Sequence, residues 1–325
     1  MKAIVQDEYG SAGVLELRDI DKPEPRDGEV LIRVRAAGVD PGVWHLMTGR
    51  PYLVRAMGFG LRAPKVRVRG RDVAGVVESI GANVTRFKPG DAVFGTSEGS
   101  FAEYVCARED RLAPKPANLS FEQAAVVAIS GLTALQGLRD AGRIQAGQKV
   151  LIIGAAGGVG SFAVQMARAF GGEVTGVCST NKIELVRSLG ASDVIDYTRE
   201  DFADGARRYD LILDTAGNRP LGQLRRALAP KGTLVIVGGE SGGGPLLGGF
   251  DRQIFRAPLL SIFVGQTLRA LVSTESAEDL VVLKELIESG KVTPVIDRTY
   301  PLAEAADAIR YLAEGHARGK VVIAV

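Results

Sequence analysis

Apolar and polar positions alternate over short runs in the first third of the chain. These runs cover residues 29–34, 73–80, 92–94 and 102–106. Clusters of Gly and Pro, such as those at 23–25 and 88–91, separate them. A period of two broken in this way is typical of half-buried strands. The chain up to residue 119 therefore predicts a barrel or sandwich rather than repeated strand–helix–strand units.

The pattern changes after Pro116. Ser120 followed three residues later by Gln123 predicts a helix N-terminus with a capping box. From Lys149 onward, apolar strands alternate with helices, a pattern that favours a doubly wound parallel sheet covered on both faces. The predicted strands are 150–153, 173–178, 193–196, 211–214, 234–237, 259–264 and 320–325, and the predicted helices are 161–170, 182–189, 221–228, 277–289 and 303–313.

Length and composition narrow the class of protein. With 325 residues the chain exceeds the size at which one core keeps growing, so two domains are expected. The net charge of +2 gives no reason to expect a nucleic acid partner. A basic stretch from Arg62 to Arg71 alternates with apolar residues, and the solvated face of a strand or loop is favoured over a polyanion site.

Neither a secretory signal nor a membrane segment is predicted. The N-terminus lacks an apolar core of signal-peptide length, and no apolar run approaches the ~20 residues of a membrane span. The two cysteines, Cys106 and Cys178, lie in strand-like sequence and are interpreted as buried thiols. We expect a soluble, cytoplasmic protein with no membrane partner.

A glycine turn carries the strongest functional signal. Gly154, Gly157 and Gly160 directly follow a predicted strand and open a predicted helix. Gly154 allows the tight turn, Gly157 lets backbone N–H groups approach a pyrophosphate, and Gly160 permits close helix–strand packing. The positive helix end then favours the phosphates. This arrangement predicts a dinucleotide site.

The end of the second strand indicates which dinucleotide binds. An NAD site usually places Asp or Glu there to bind the ribose 2′-hydroxyl. This sequence instead has Ser179, Thr180 and Lys182, which suit a 2′-phosphate through two hydroxyl donors and a counter-charge. The alternative is that Thr180 only caps the helix and Lys182 is solvated. NADPH is the favoured cofactor.

Several motifs together resemble the quinone oxidoreductase (ζ-crystallin-like) branch of the medium-chain dehydrogenase/reductases. They run along nearly the whole chain, at Gly147-Gln148, Leu151, Ala155–Gly158, Gly160, Gln165, Arg168, Gly70–Gly75, Pro89–Asp91, Gly131–Thr133 and Gly319–Val322. The resemblance implies an α/β protein with a GroES-like β-barrel catalytic domain and a Rossmann cofactor domain. The corresponding boundaries are 1–119 for the first part of the catalytic domain, 120–258 for the Rossmann domain, and 259–325 for the return to the catalytic domain.

The resemblance also implies cofactor contacts by position. Gly157, Gly158 and Val159 would contact the cofactor, and Ser179, Lys182 and Tyr197 would lie toward the adenosine phosphate. Thr133 would contact the region of the nicotinamide ribose. Residues expected toward the nicotinamide are Asn218, Gly238, Gly239, Phe263, Val264 and Gly265.

A metal ion is not expected. Two cysteines and two histidines cannot supply both a catalytic zinc site and a four-cysteine structural lobe. By the resemblance, Asp40 stands where zinc-dependent relatives carry their first Cys ligand. Gly70-Arg71-Asp72 stands where they carry Gly-His-Glu.

The catalytic residues are less clear from the sequence. Tyr52 is either a donor that polarises a substrate carbonyl or an aromatic wall of the pocket. Asp40 either orients the nicotinamide ribose or substrate, or caps a short helix before Trp44. His45 is interpreted as a satisfied histidine. Residues 53–64 form an insertion-like stretch that is expected to reshape the substrate pocket.

The prediction is an NADPH-dependent, zinc-independent reductase of quinones or α,β-unsaturated carbonyls. An enoyl-thioester reductase and a non-catalytic NADPH-binding protein are the alternatives. The predicted apolar strand at 259–264 suggests a homodimer paired through sheet edges.

Overall fold

The computed structural model describes residues 1–238 and 256–325 and divides them into two compact units. The first unit contains Met1–Leu132, Glu275–Gly290 and Pro294–Val325, and the second contains Thr133–Thr274 and Lys291–Thr293. The expected boundaries were residues 119 and 258. Residues 120–132 belong to the first unit because a helix there packs on its sheet, and 259–274 belong to the second because they supply its edge strand.

The first unit is built on an antiparallel sheet. Its strands are β1 (Lys2–Val5), β2 (Glu16–Asp19), β3 (Glu29–Val39), β4 (Asp72–Ile80), β5 (Ala92–Thr96), β6 (Tyr104–Arg108), β7 (Leu112–Pro114), β14 (Ile296–Pro301) and β15 (Lys320–Ala324). The order is β14-β15-β3-β4-β5-β7, with β6 also paired to β3 and β1 paired to β2. Only β14 and β15 run parallel among the described pairs. The β-rich beginning predicted from alternation is confirmed.

Helices cover this sheet and connect its strands. They are α1 (Pro41–Thr48), α2 (Tyr52–Val54), α3 (Phe121–Ala124), α4 (Ala128–Gln136), α9 (Ala277–Glu288) and α10 (Ala305–Ala313). The capping box predicted at Ser120 and Gln123 is confirmed, with both reciprocal hydrogen bonds present. Alternation along β3 explains its placement, because Ile32 and Val34 are buried in the core while Arg33 is exposed.

The second unit contains a six-stranded parallel sheet within the described residues. Its strands are β8 (Lys149–Ile153), β9 (Glu173–Cys178), β10 (Asp193–Asp196), β11 (Tyr209–Asp214), β12 (Leu228–Ile236) and β13 (Thr267–Ala270), in the order β10-β9-β8-β11-β12-β13. Its helices are α5 (Gly158–Ala169), α6 (Ile183–Ser188), α7 (Leu221–Ala227) and α8 (Ala257–Ser261). The strand order reverses direction between β8 and β11, which confirms the predicted doubly wound Rossmann sheet.

The strand predicted at 259–264 is wrong. Residues Ala257–Ser261 form helix α8, with Pro258 in its first turn, and the edge strand β13 begins only at Thr267. Proline suits the first turn of a helix, and a short apolar run alone does not distinguish a helix from a strand. Within the described residues, no helix combines the length and apolarity needed to cross a bilayer.

Candidate functional site

The carboxyl edge of the parallel sheet gathers most of the residues that the sequence predicts for the cofactor. The loop after β8 carries the glycine turn, and Gly154 there has φ +80°. A Cβ on Gly154 would lie 2.6 Å from the hydroxyl of Thr215, and one on Gly160 would lie 2.1 Å from the carbonyl oxygen of Gly154. Only glycine fits these two positions without a shift of the backbone.

Helix α5 begins in this turn with an open N-terminus. Gly157 is its N-cap residue and offers no side chain to the N–H groups of the first turn. Gly158 and Val159 are half-buried there. Unsatisfied N–H groups and the helix dipole together favour an anion. This arrangement fits the pyrophosphate of a dinucleotide.

The turn after β9 holds Ser179, Thr180 and Lys182, but its hydroxyls are already in use. The Ser179 hydroxyl donates to Asn181 Oδ1 at 2.8 Å, and the Thr180 hydroxyl donates to Asp196 Oδ2 at 2.5 Å. A hydroxyl has one proton, so while this bond is intact Thr180 does not donate to a phosphate. The prediction that Thr180 is a phosphate donor is therefore corrected: its hydroxyl anchors the turn.

Asp196 is a carboxylate beside this turn that sequence reasoning missed. It ends β10 and lies in register with Cys178, the last residue of β9. Its other oxygen, Oδ1, accepts from the backbone N–H and the hydroxyl of Thr198 at 3.0 and 2.7 Å. Hydrogen bonds from Thr180 and then Thr198 lower the pKa of Asp196. The buried carboxylate is thus occupied by neighbours within the protein.

Three further predicted positions lie at the same edge. Tyr197 follows β10, and its ring lies 5.1 Å below the guanidinium of Arg219. Asn218 is exposed after β11. Gly238 follows β12, and its N–H donates to the carbonyl of Asp214. Gly239 lies outside the described residues. The carboxyl ends of β8 to β12 therefore bring together predicted residues from five different loops.

Phe263, Val264 and Gly265 lie at the opposite edge, which corrects their predicted position toward the nicotinamide. They precede β13, and a Cβ on Gly265 would lie 3.2 Å from the carbonyl of Pro230, near the start of β12. The segment that follows β13 reaches the carboxyl edge instead. There the hydroxyl of Thr133 donates to Ser273 at 3.1 Å. Residues 271–273 thus lie at the carboxyl edge, beside Thr133.

In the first unit, Asp40 is a buried carboxylate with one free oxygen. It is the N-cap of α1, where Oδ1 accepts from the N–H of Gly42 at 2.7 Å. The residue is 3% exposed, and Oδ2 has no hydrogen-bond partner among the described residues. The capping role is confirmed. The second oxygen leaves an acceptor for another group.

Arg71 places a positive charge near Asp40. Its guanidinium pairs with Glu275 at 2.5 Å, and Glu275 also pairs with Arg111 at 3.0 Å. Burial disfavours the charged form of Arg71, but the carboxylates of Asp40 and Glu275 outweigh it and raise the pKa of Arg71. Glu275 was not found from the sequence, because it lies 204 residues from Arg71.

Asp72 forms a fully buried ion pair with Lys320 at 3.1 Å. The other carboxylate oxygen accepts from the N–H of Ile129 at 2.7 Å. Burial raises the pKa of Asp72, while Lys320 acts in the opposite direction. The pair joins β4, β15 and the start of α4, so Asp72 holds the sheet together.

Asp40 and Tyr52 flank helix α1 at its two ends. Asp40 is the N-cap, and Tyr52 follows the C-terminus of the helix, which is about 12 Å long. Tyr52 is 42% exposed, with the guanidinium of Arg55 4.9 Å from its ring centre.

The interpretation of His45 as a satisfied histidine is confirmed, since its Nδ1 lies 2.7 Å from the carbonyl of Arg50.

No cluster of three or more His, Cys, Asp or Glu side chains suited to a metal occurs in residues 1–238 and 256–325. Cys106 lies on β6 in the first unit and Cys178 at the end of β9 in the second, both as free thiols. Burial raises the pKa of each thiol to about 11. At neutral pH both are therefore protonated.

Comparison with known proteins agrees with this architecture. Residues 26–117 match the alcohol dehydrogenase GroES-like domain, and residues 189–323 match the family described as zinc-binding dehydrogenase. An NADPH-dependent alkenal/one oxidoreductase of Arabidopsis thaliana is 37% identical over 99% of this chain and 79% of its own length. Human quinone oxidoreductase is 32% identical over 99% of this chain and 97% of its own length.

A solved structure shows the same fold over the full length. The quinone oxidoreductase from Coxiella burnetii superposes with a TM-score of 0.86 at 31% identity, covering 100% of this chain and 99% of that one. With the glycine turn, the parallel sheet and the antiparallel first unit, these matches show that the chain is an oxidoreductase that belongs to the quinone oxidoreductase family of the medium-chain dehydrogenase/reductases.

Proposed function

We propose that the protein reduces quinones or α,β-unsaturated carbonyls with NADPH and without a metal ion. The observation that carries this proposal is the turn after β8, in which positions 154 and 160 accept only glycine. This turn leads into the open N-terminus of α5 at the carboxyl edge of the parallel sheet. When bound there, NADPH supplies a hydride from C4 of its nicotinamide. The protein's part is to hold the cofactor and to stabilise charge on the acceptor.

The preference for NADPH rests on the turn after β9. Lys182 supplies a positive charge beside the expected 2′-phosphate, and Ser179 is half-buried beside it. Asp196 occupies the neighbouring strand end, but both of its oxygens accept hydrogen bonds from Thr180 and Thr198. A carboxylate that already accepts three hydrogen bonds is a poorer partner for a ribose 2′-hydroxyl than the usual NAD-binding acid.

The acceptor class is supported by the relatives and by the chemistry of the first unit. Curated relatives named above are a quinone oxidoreductase and an alkenal/one oxidoreductase. Both kinds of acceptor are already electrophilic and need a hydrogen-bond donor more than an acid–base pair. We assign that donor to the hydroxyl of Tyr52, whose side chain is partly exposed. We assign the free oxygen of Asp40 to a hydroxyl of the nicotinamide ribose or substrate.

The proposal is tested by NADPH oxidation against a panel of quinones, enones, enoyl thioesters and aldehydes, before and after exhaustive chelation. We expect turnover with quinones and enones that survives chelation, and a Tyr52→Phe variant with about tenfold lower kcat and unchanged NADPH affinity. Activity with enoyl thioesters alone would favour an acyl-thioester reductase. Tight NADPH binding with no turnover would favour a binding protein, and zinc-restored activity would contradict the metal-free site.

We also propose a cytoplasmic homodimer. The support for a dimer is the edge strand β13 and the apolar residues that precede it, of which Leu259, Ile262 and Phe263 are 61%, 76% and 77% exposed. Among the described residues β13 pairs only with β12, and such an edge next to exposed apolar side chains is suited to pairing with a second copy. The free thiols suit a reducing compartment. Sedimentation velocity measures the oligomeric state directly.

A further inference from the structure

An acid-free segment of the first unit carries an unusual concentration of positive charge. Between Asp40 and Asp72 the chain has seven Lys and Arg residues and neither Asp nor Glu. Four of the seven have partners: Arg67 pairs with Asp7, Arg71 pairs with Glu275, and Arg55 and Arg69 donate to carbonyls at the end of α1. Arg50, Arg62 and Lys65 are exposed and have no carboxylate partner in the described parts of the chain.

Apolar side chains project from the same place. Residues 56–65, here called the 56–65 loop, expose Met57 by 65%, Phe59 by 38% and Leu61 by 74%. Ala56 and Ala63 are exposed as well. Met57, Phe59 and Leu61 stand at alternate positions of one short segment, and a group of exposed apolar side chains marks a surface that contacts something else. Here they lie in sequence between the unpaired cations Arg50 and Lys65.

The 56–65 loop is fixed at its base. The hydroxyl of Tyr9 lies 2.7 Å from the carbonyl of Gly60 and 3.1 Å from that of Phe59, and the N–H of Lys65 donates to Phe59 at 3.0 Å. Gly60 has φ +115°, and a Cβ there would lie 2.0 Å from the carbonyl of Ala63. The loop is thus a closed turn that presents its apolar residues without first having to be ordered.

A second copy of this chain is a poor occupant for this surface. A two-fold interface places a patch against itself, so Arg50, Arg62 and Lys65 would face the same three cations. Opposed like charges in an interface are unfavourable. An anionic lipid surface provides both requirements, since its phosphates attract the cations and its acyl boundary accepts short apolar side chains.

We propose that the 56–65 loop docks the protein reversibly on an anionic lipid bilayer, with Met57, Phe59 and Leu61 entering the headgroup region and Arg50, Arg62 and Lys65 contacting lipid phosphates. This proposal departs from the expectation of no membrane partner, because the segment that carries the basic stretch also exposes apolar side chains. It concerns a surface rather than turnover, so it stands or falls independently of the proposed activity.

The test is co-sedimentation of the full-length protein with vesicles of phosphatidylcholine alone or mixed with phosphatidylglycerol. We expect binding only to the anionic vesicles, weakening as salt is raised. Each Lys or Arg near such a surface strengthens binding about fivefold, so Arg62→Gln with Lys65→Gln should weaken it about 25-fold. Met57→Ser with Leu61→Ser should weaken it about tenfold.

Matched controls come from the second unit. Lys149→Gln with Lys231→Gln removes two exposed positive charges, and Val272→Ser removes an apolar side chain that is 84% exposed. Neither control should change vesicle binding, and unchanged thermal unfolding midpoints should show that every variant folds. Three results would overturn the proposal: no binding to anionic vesicles at low salt, equal losses in the lysine control, or no loss in the Met57→Ser, Leu61→Ser variant.

Other occupants have distinct outcomes in the same experiment. If vesicles are not bound but Arg62→Gln with Lys65→Gln raises KM for an acyl-CoA, the loop serves a soluble anionic substrate. If vesicles are not bound and Met57→Ser with Leu61→Ser converts a dimer to a monomer, the loop contacts a second copy. Both results reject lipid docking.

Discussion

At the residue scale, cofactor choice depends on side chains of the turn after β9. The Ser179 hydroxyl donates to Asn181, and the Thr180 hydroxyl donates to Asp196. Lys182 carries the positive charge of this turn, and that charge suits a 2′-phosphate. The carboxylate of Asp196 lies beside the turn and already accepts three hydrogen bonds from Thr180 and Thr198. The preference for NADPH is therefore expected to rest mainly on one ammonium group.

The first prediction concerns Lys182. Replacing it with Ala removes a charge-assisted contact that contributes about 1.5–3 kcal/mol, so the preference for NADPH over NADH should fall about tenfold or more. Dissociation constants for both cofactors, measured by fluorescence titration, check this. The control Lys231→Ala removes an exposed charge of the same unit and should leave the preference intact. Equal affinity of the parent protein for both cofactors would contradict the assignment.

The second prediction concerns Asp196 and pH. Hydrogen bonds lower its pKa in the folded state, so its contribution is present above the unfolded value of about 3.9 and is lost as pH falls through the lower folded value. Asp196→Asn should therefore lower the free energy of unfolding at neutral pH. The difference from the parent should stay constant above about pH 5 and shrink below about pH 4.

Urea unfolding at a series of pH values measures this difference. The control Glu184→Gln changes a side chain that is 87% exposed in an i,i+3 pair, so it should have little effect at any pH. A difference between Asp196→Asn and the parent that grows as the pH falls would show that the carboxylate does not anchor the turn.

At the element scale, the glycine turn is sensitive to a single added methyl group. In Gly160→Ala the Cβ would lie 2.1 Å from the backbone carbonyl of Gly154, and a backbone atom cannot move aside as a flexible side chain can. We expect a loss of about 1–3 kcal/mol in the free energy of unfolding, with weaker NADPH binding. Gly222→Ala is the matched control, because it lies in α7 with open space around it.

Gly222→Ala should raise the free energy of unfolding, whereas Gly160→Ala should lower it. A Cβ on Gly222 meets nothing within 4 Å, and Ala is favoured over Gly in a helix by up to about 1 kcal/mol. Thermal unfolding and NADPH titration of both variants check the pair. If Gly160→Ala and Gly222→Ala have the same stability and the same NADPH affinity, close packing at Gly160 is not what requires glycine in the turn.

Elements with a clear local signal were predictable from the sequence. The predicted bounds of β9 and β10 agree with the structure, since each is an apolar run closed by a turn signal. The prediction of β3 stopped at Val34, whereas the strand continues to Val39. Its last four residues are all buried, because β4 and β15 flank them, so no alternation remains to be recognised.

The site was predictable where it is local and unpredictable where it depends on strand order. The turn from Gly154 to Gly160 lies in one continuous segment. Asp196 reaches Thr180 only because β10 pairs with β9, and Glu275 reaches Arg71 across 204 residues. The assignment of 263–265 failed because it depended on where the last strand of the parallel sheet begins.

At the scale of the whole molecule, the first unit is closed by its last strand. The Asp72–Lys320 pair is completely buried, so Lys320→Met would leave an unpaired carboxylate inside the sheet. We expect a loss of about 3–5 kcal/mol in the free energy of unfolding. The double variant Asp72→Asn with Lys320→Met removes both charges and should recover most of that loss.

Fluorescence of Trp44, the single tryptophan, reports on the unfolding of this unit because it lies in α1. The prediction fails if Lys320→Met and the double variant are equally stable. The loss of stability would then come from lost packing around Lys320 rather than from the unpaired carboxylate of Asp72.

The same ion pair has a consequence for synthesis on the ribosome. Asp72 and Lys320 are 248 residues apart in the chain, and the whole second unit is translated between them. At roughly 5–20 residues per second, Asp72 waits roughly 10–50 s for its partner to be made. The strands described for the parallel sheet have all been made once β13 is translated, so this sheet is free to fold during that interval. The nascent first unit, with a buried position still lacking its counter-charge, is the part expected to need a chaperone until β15 emerges.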